Sequence, residues 1–283
     1  MNTFTFKEQL AVLSNKEFET LSEFVYSQCG IKMPPIKKTM LETRLRKRLR
    51  ACGMNNFREY CDYLFSERGL DNELVHMIDV VTTNKTDFFR EPAQFVYLTQ
   101  KALPYITDEL GENHVKIWSA GCSTGEEPYT MAMVLSEYAE EHPSFTFSIM
   151  ATDISTKVLE TASTGIYEAE KVIPVPFEMK KKYLLKSKDK TKDLVKIIPE
   201  LRKIISFQRL NFMNNDFGIR EKKHIIFCRN VIIYFDKPTQ EILLRKLFNL
   251  IIPGGFLFLG HSETIFSMDI PMEQVAPSTY RKL

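Results

Sequence analysis

The sequence lacks any cysteine pairing pattern. Its five cysteines, Cys29, Cys52, Cys61, Cys122 and Cys228, are odd in number, and none stands in a C-x-x-C pair. That argues against a disulfide framework and against a zinc site, and it points to a reducing cytoplasm. A long apolar run is missing too. The most apolar stretch, Leu247–Leu259, is cut by Pro253-Gly254-Gly255 and is too short to span a bilayer. The opening MNTFTFKEQL has no basic segment followed by an apolar one, so no signal peptide is expected there. Net charge is only +2 over 283 residues, which gives no global attraction to nucleic acid or anionic lipid. No internal repeat is found. What is present, 44% hydrophobic and 26% charged residues, suits a globular chain of one large domain or two modest ones.

The chain is organised around Val115–Met131, VKIWSAGCSTGEEPYTM. It reads as a short apolar strand, a turn Gly121-Cys122-Ser123-Thr124-Gly125, and a helix. Glu126, Glu127 and Pro128 fall in the first helical turn, where acids suit the macrodipole and proline loses no hydrogen bond. Strand, glycine turn and helix is how a doubly wound α/β domain holds a nucleotide-like cofactor. A dinucleotide fingerprint needs G-x-G-x-x-G, and a phosphate loop needs a lysine after its second glycine. Here two glutamates follow G-x-x-x-G, which disfavours a pyrophosphate and suits a cofactor carrying sulfonium and ammonium groups, as S-adenosylmethionine (SAM) does. On the loop alone two readings stay open, SAM or an ordinary strand-to-helix turn.

Residues 1–82 read as a helical, basic domain. Phe18, Leu21, Phe24 and Val25 recur at helical spacing, and Lys32-Met33-Pro34-Pro35 is a break. In Lys37–Arg50, KKTMLETRLRKRLR, Leu41, Leu45 and Leu49 form one apolar stripe. At about 100° per residue Arg44 and Arg48 ride beside it, while Arg46, Lys47 and Arg50 point elsewhere. Such a run is either a solvated face or a docking surface for an acidic partner. Cys52-Gly53 ends the helix; Phe57, Tyr60, Leu64 and Phe65 give another, and Leu74–Val81 a third. Thr82–Glu91 looks like a junction opening into a helix that runs towards Leu103.

Residues 83–283 read as an α/β domain. Strands are expected at Val115–Ser119, Phe145–Ala151, Ile225–Cys228 and Phe256–Gly260, with a final edge strand at Gln274–Arg281. Helices are expected at about 126–140, 156–164 and 239–250. The alternation implies a parallel sheet covered on both faces. It stalls over 165–210, a lysine-rich stretch with β-like runs at Leu194–Ile198 and Ile204–Leu210 around a polar tip, Lys186–Asp193. This reads as an antiparallel insertion carrying a hairpin.

Ligands of such sheets sit at the carboxyl ends of the strands. There Asp153 is placed either to accept from both ribose hydroxyls or to cap the next helix. Asn211-Phe212 suits an adenine edge and face, or else a turn and a core ring. Arg229-Asn230 and Tyr234, with apolar Val231-Ile232-Ile233 between, have no easy core explanation. Cys122 and Cys228 flank this pocket and read as small packing residues. His261 is given no catalytic role.

NKTDFFRE, SAGCSTGEEPY, ATDIS, CRNVIIYFDKPTQ and FLGHSET, in this order, resemble the bacterial chemoreceptor glutamate methyltransferases, the CheR family. The resemblance covers nearly the whole chain. It implies a class I SAM-methyltransferase fold, a Rossmann-like doubly wound sheet with an N-terminal all-helical domain and a small antiparallel β insertion. The implied reaction moves a methyl group from SAM to glutamate side chains on chemoreceptor cytoplasmic helices, leaving S-adenosylhomocysteine. Implied cofactor contacts are Asn84, Thr86, Arg90, Glu127, Asp153, Asn211, Phe212, Arg229 and Asn230, beside Gly121 in the glycine loop. Arg90 and Tyr234 are implied near the reacting methyl. Arg44, Arg46, Lys47, Arg48 and Arg50 are implied to meet the receptor. The family's β insertion can hold a receptor C-terminal tail peptide; in some members the loop matching 186–193 contains glycine, which this loop lacks.

The chemistry agrees with that resemblance. A glutamate, with a reference pKa of about 4.3, is ionised at neutral pH and needs no general base. What remains is to desolvate it and hold it on the methyl axis. Without the resemblance, Arg90 reads equally as a helix-surface residue and Tyr234 as a core-edge one. A nucleic-acid methyltransferase is disfavoured, because Asn230-Val231-Ile232-Ile233-Tyr234 has no prolines and no Pro-Cys pair occurs. The alternative kept is a non-catalytic SAM-binding regulatory module. No metal, no nucleic acid and no membrane insertion are expected.

Overall fold

The computed structural model describes residues 11–189, 191–266 and 268–283. The opening decapeptide, where no signal peptide is expected, lies outside them, as does Lys190 in the polar tip. The chain divides into two compact units, Met1–Thr83 and Asn84–Leu283. Among the described residues no helix is long and apolar enough to cross a membrane.

The first unit is helical: α1 Asn15–Cys29, α2 Lys38–Cys52, α3 Phe57–Leu64, α4 Glu67–Asn72 and α5 Leu74–Val81. Ser14 and Glu17 form a capping box at the start of α1, and Gly30 ends it in the left-handed conformation. Leu41, Leu45 and Leu49 are buried as one stripe of α2. The arginines beside the stripe turn inward. Arg48 grips the carboxylate of Glu73 with two hydrogen bonds, 2.8 and 2.7 Å, and the Tyr60 hydroxyl donates to the same carboxylate at 2.9 Å. Arg44 donates to the carbonyls of Val81 and Thr82, and Arg46 pairs with Glu42 and the Ala11 carbonyl. Lys47 and Arg50 are exposed. Glu73 is 2% exposed, so removing its partner strands a carboxylate in the core. Arg48→Ala is expected to lower the unfolding free energy by about 3 kcal/mol, the usual scale for a broken buried pair. Arg50→Ala should stay within about 0.5 kcal/mol. Urea midpoints at unchanged slope check both.

The second unit opens with α6 Pro92–Tyr97, continued by wider helical turns to Glu109. There follow β1 His114–Ala120, α7 Glu126–Glu141, β2 Thr146–Asp153, α8 Thr156–Thr164, β3 Ile166–Glu168, α9 Phe177–Tyr183, β4 Leu184–Lys186, β5 Leu194–Ile197, α10 Pro199–Ile204, β6 Ile205–Arg209, β7 Lys223–Cys228, α11 Lys237–Leu250, β8 Ile251–Leu259, β9 Met272–Ala276 and β10 Thr279–Lys282. The seven-stranded sheet has the order β6-β2-β1-β7-β8-β10-β9. Pairs β6/β2, β2/β1, β1/β7 and β7/β8 are parallel; β10 runs antiparallel to β8 and to β9.

Period-two alternation sorts the strand side chains onto two cores. Ile117, Ile225 and Phe227 join α6 and α7 residues such as Phe95, Met131 and Leu135. Their neighbours Trp118, Ile226 and Cys228 join Leu243, Leu244 and Leu247 of α11. The sheet is therefore covered on both faces, as a doubly wound fold requires. From β1 the strand order runs one way to β2 and β6 and the other way to β7 and β8. The switch point thus lies between the ends of β1 and β7, where such folds place their ligands.

Two strand expectations change. Ile204–Leu210 does not belong to the insertion: as β6 it pairs parallel with β2 and forms an edge of the main sheet, so 165–210 is too long by that strand. The small sheet itself has the order β3-β5-β4, all antiparallel, with the polar tip joining β4 to β5. Gln274–Arg281 is two strands, because Pro277 carries no N–H for the ladder and Ser278 takes a left-handed φ of 51°. The result is the β9–β10 hairpin.

Candidate active site

The loop after β1 hangs from the end of β2. Gly121 and Cys122 donate to the Thr152 carbonyl at 2.8 and 2.9 Å. Gly121 has φ 88°, and a Cβ there would lie 2.4 Å from Cγ2 of Val231 on the loop after β7. Gly125 has φ 97° and no room beside Ala162 and Tyr167. Both glycines are thus required by backbone angle and by close approach. Asp153, at the end of β2, braces the same loop. Its Oδ2 accepts from the Ser123 N–H at 2.9 Å and its Oδ1 from the Ser155 N–H at 3.0 Å. The cap of α8 is Ser155, not Asp153.

The two glutamates of the loop part company. Glu126 is buried and folded back on the Thr124 hydroxyl at 2.6 Å. Glu127 turns to the strand ends. It accepts from the Ser119 hydroxyl at 2.7 Å and lies 3.5 Å from Nη1 of Arg229. Burial pushes the Glu127 carboxyl up, against the pull of the Arg229 charge.

Arg229 is the centre of the site. Its side chain is 2% exposed, and its Nη2 lies 3.2 Å from Glu91 Oε2. It donates to the Arg90 carbonyl, and the rings of Phe95 and Phe227 lie 5.5 and 5.9 Å from the guanidinium carbon. Its Nε–H is buried with no hydrogen-bond partner among the described residues. Arg90 itself is half-buried, with Nη1 donating to the Lys85 carbonyl at 3.1 Å. On either side of it Phe89 and Glu91 take left-handed φ values of 53° and 57°. Each costs about 1–3 kcal/mol for a non-glycine residue, a strain that persists where a site over-determines the chain.

The remaining residues lie on the segment before α6 and on the loops after β6 and β7. The Asn84 carbonyl accepts from the Ser123 hydroxyl at 3.0 Å, and Thr86 is half-buried on the same segment. Asn211 closes a turn: its side-chain oxygen accepts from the Met213 N–H at 3.0 Å. Phe212 is half-buried with its ring 6.0 Å from that of Phe217. Asn230 takes φ 57°, and Tyr234 is half-buried at the end of a single 3-10 turn, Ile232–Tyr234. Burial pushes the Cys122 and Cys228 thiols well up, which leaves them as packing groups rather than nucleophiles. Two carboxylates that the geometry brings to these loops were not singled out by the sequence reading. Glu91 and Glu263 both lie in the motifs quoted above, but only the fold shows what their carboxylates hold.

This donor set suits SAM. A buried guanidinium with an unused N–H fits a carboxylate, Glu127 and Glu91 fit cationic groups, and Asp153 fits a diol. Nothing here is a phosphate cradle. A glycine turn at the switch point of a doubly wound sheet, ringed by these groups, defines a SAM-dependent methyltransferase of the Rossmann-like class.

The description "CheR methyltransferase, SAM binding domain" matches residues 84–281, and "CheR methyltransferase, all-alpha domain" matches residues 16–82. The chain belongs to the CheR methyltransferase family. It is 40% identical over 287 residues to a chemotaxis protein methyltransferase of Borreliella burgdorferi, the match covering all of both chains. It is 34% identical to chemotaxis protein methyltransferase 2 of Pseudomonas aeruginosa, over 94% of this chain and 93% of that one. A chemotaxis protein methyltransferase of Klebsiella aerogenes is 38% identical over 89% and 84% of the two chains.

Proposed function

We propose that the protein transfers a methyl group from SAM to glutamate side-chain carboxylates on the cytoplasmic helices of chemoreceptors, in the cytoplasm, forming methyl esters. The observation that carries this reading is the full-length match to a chemotaxis protein methyltransferase. Bound SAM would supply an electrophilic methyl on a sulfonium with a thioether leaving group. The chain's own residues supply position and charge. Arg229 and Glu127, with Asp153, Asn211, Phe212, Asn230, Gly121, Asn84 and Thr86, form the cofactor's surroundings. Arg90 donates to one oxygen of the incoming carboxylate, leaving the other oxygen to attack. Tyr234 lines the approach. No proton has to be removed, which agrees with a site built from guanidinium and carboxylates.

Within this reading the exposed Lys47 and Arg50 are the receptor contacts of the basic helix; Arg44, Arg46 and Arg48 are held by partners within the helical unit. Lys47→Glu with Arg50→Glu is expected to raise the KM for receptor about tenfold at low salt, less at high salt, because rim charges act mainly on encounter. SAM affinity should not move. An unchanged KM would remove the helix from the contact. A receptor tail peptide at the insertion is a further partner within this reading; Ile166, Ile173, Phe177 and Leu185 are exposed apolar side chains there.

The test is incubation with methyl-tritiated SAM and a purified chemoreceptor cytoplasmic domain, followed by alkali. Label released as methanol identifies a carboxyl methyl ester. SAM binding with no transfer to any receptor would favour the regulatory module instead.

A further inference from the structure

Glu263 lies four residues past the end of β8, in GHSET, and is 5% exposed. Its carboxylate points at backbone, not at a basic side chain. Oε2 accepts from the Gly260 N–H at 2.7 Å and from the Asn230 N–H at 2.8 Å, and Oε1 accepts from the Ile233 N–H at 3.3 Å. One carboxylate therefore ties the end of β8 to two points of the loop after β7. The approach is tight: a Cβ on Gly260 would lie 2.8 Å from the Asn230 nitrogen and 2.9 Å from Glu263 Oε2.

What the carboxylate holds is specific. Asn230 sits in the left-handed region at φ 57°, which asparagine tolerates better than other non-glycine residues, and the carboxylate holds its N–H there. Ile233 is the middle residue of the 3-10 turn that carries Tyr234. A buried carboxylate is a poor device for stability alone, because burial opposes its charge and pushes its carboxyl up even against the backbone donors. An apolar side chain would fill the same space at less electrostatic expense, but would leave three N–H groups unpaired and the loop unspecified.

We propose that Glu263 is a positioning residue for methyl transfer, a carboxylate clamp that fixes the Asn230 backbone beside the cofactor and the Tyr234 turn beside the acceptor. This rests on the roles proposed above for Asn230 and Tyr234. The two oxygens divide the work: Oε2 sets the cofactor side through Asn230, and Oε1 sets the acceptor side through Ile233.

Glu263→Gln separates this from a merely structural role. A glutamine can present its single oxygen to Gly260 and Asn230 or to Ile233, but its NH2 group then faces another N–H donor. Calorimetry without receptor is expected to show SAM binding about tenfold weaker, the scale of one charge-assisted hydrogen bond, with melting temperature within about 4 °C of wild type. Turnover on the receptor domain should fall by about 100-fold, as for a reacting group displaced by about 1 Å. SAM affinity and turnover within twofold of wild type would overturn the clamp. Should Glu263→Gln fail to fold, Ile233→Pro tests the other end of the bond. That side chain is 46% exposed, and proline in this single turn removes the donor to Oε1 while restricting Ile232 before it. It is expected to lower turnover about tenfold with SAM affinity within twofold, since Oε2 is untouched; unchanged turnover would overturn the proposal. If wild-type protein binds SAM but methylates no receptor, the receptor assignment fails and the calorimetric comparison still decides the clamp.

Discussion

Arg229→Met is expected to weaken SAM binding about 1,000-fold and to lower the unfolding free energy by about 3–5 kcal/mol. The guanidinium lies between two carboxylates, Glu91 at 3.2 Å and Glu127 at 3.5 Å, and is 2% exposed. Methionine fills the space and keeps the contact with Phe95 and Phe227. It leaves two carboxylates facing one another with no cation between them, and it releases the Arg90 carbonyl. The Glu127 carboxyl, already pushed up by burial, loses the charge that holds it down and rises further. The sign of the pH dependence follows. SAM's cationic groups need Glu127 ionised, so affinity is present above its folded pKa and lost as pH falls through it. In the variant that loss begins at a higher pH. Arg229→Lys keeps a charge but not the fork that spans both acids, and is expected to recover only part of the affinity. Calorimetric titration of SAM from acid to neutral pH measures all three; wild-type affinity in Arg229→Met would refute the central role of this residue.

The elements most legible in the sequence were those set by local chemistry. The glycine loop, the α8 boundaries and the α2 stop at Gly53 follow from caps, glycine angles and apolar period, all properties of a few adjacent residues. The two misread strands show the limit. β6 follows a lysine-rich stretch whose neighbours in sequence belong to the insertion, and only its pairing with β2, more than fifty residues earlier in the chain, places it in the main sheet. In the site, the polar residues at strand ends were visible because a parallel strand has no other use for them. Their partners were not. A helical wheel puts Arg48 beside the leucine stripe, but nothing local reveals that Glu73 receives it. Glu91 and Glu263 are silent in the same way, since a buried carboxylate is recognised by the donors that surround it, and those come from elsewhere in the chain.

Arg90→Ala is expected to lower turnover on receptor by about 100- to 1,000-fold while SAM affinity stays within about tenfold, the pattern of a group used in the transition state more than in binding. The backbone at this position is fixed from three directions. Phe89 N–H donates to the Thr130 hydroxyl at 3.1 Å, Arg229 takes the Arg90 carbonyl, and Glu91 turns the chain into α6 with a left-handed φ. Strained residues on both sides of one arginine are hard to account for if its side chain merely covers a helix surface. They are accounted for if the guanidinium must stand at one place relative to the glycine loop. Alanine keeps the backbone bonds to Thr130 and Arg229, so the cofactor side of the site survives and the loss falls on the acceptor. Arg90→Lys restores charge without the planar fork, and should recover less than about tenfold of the turnover if carboxylate orientation is the deciding factor. Full recovery by lysine would instead make the residue a source of charge alone. Full activity in Arg90→Ala would refute the positioning role altogether.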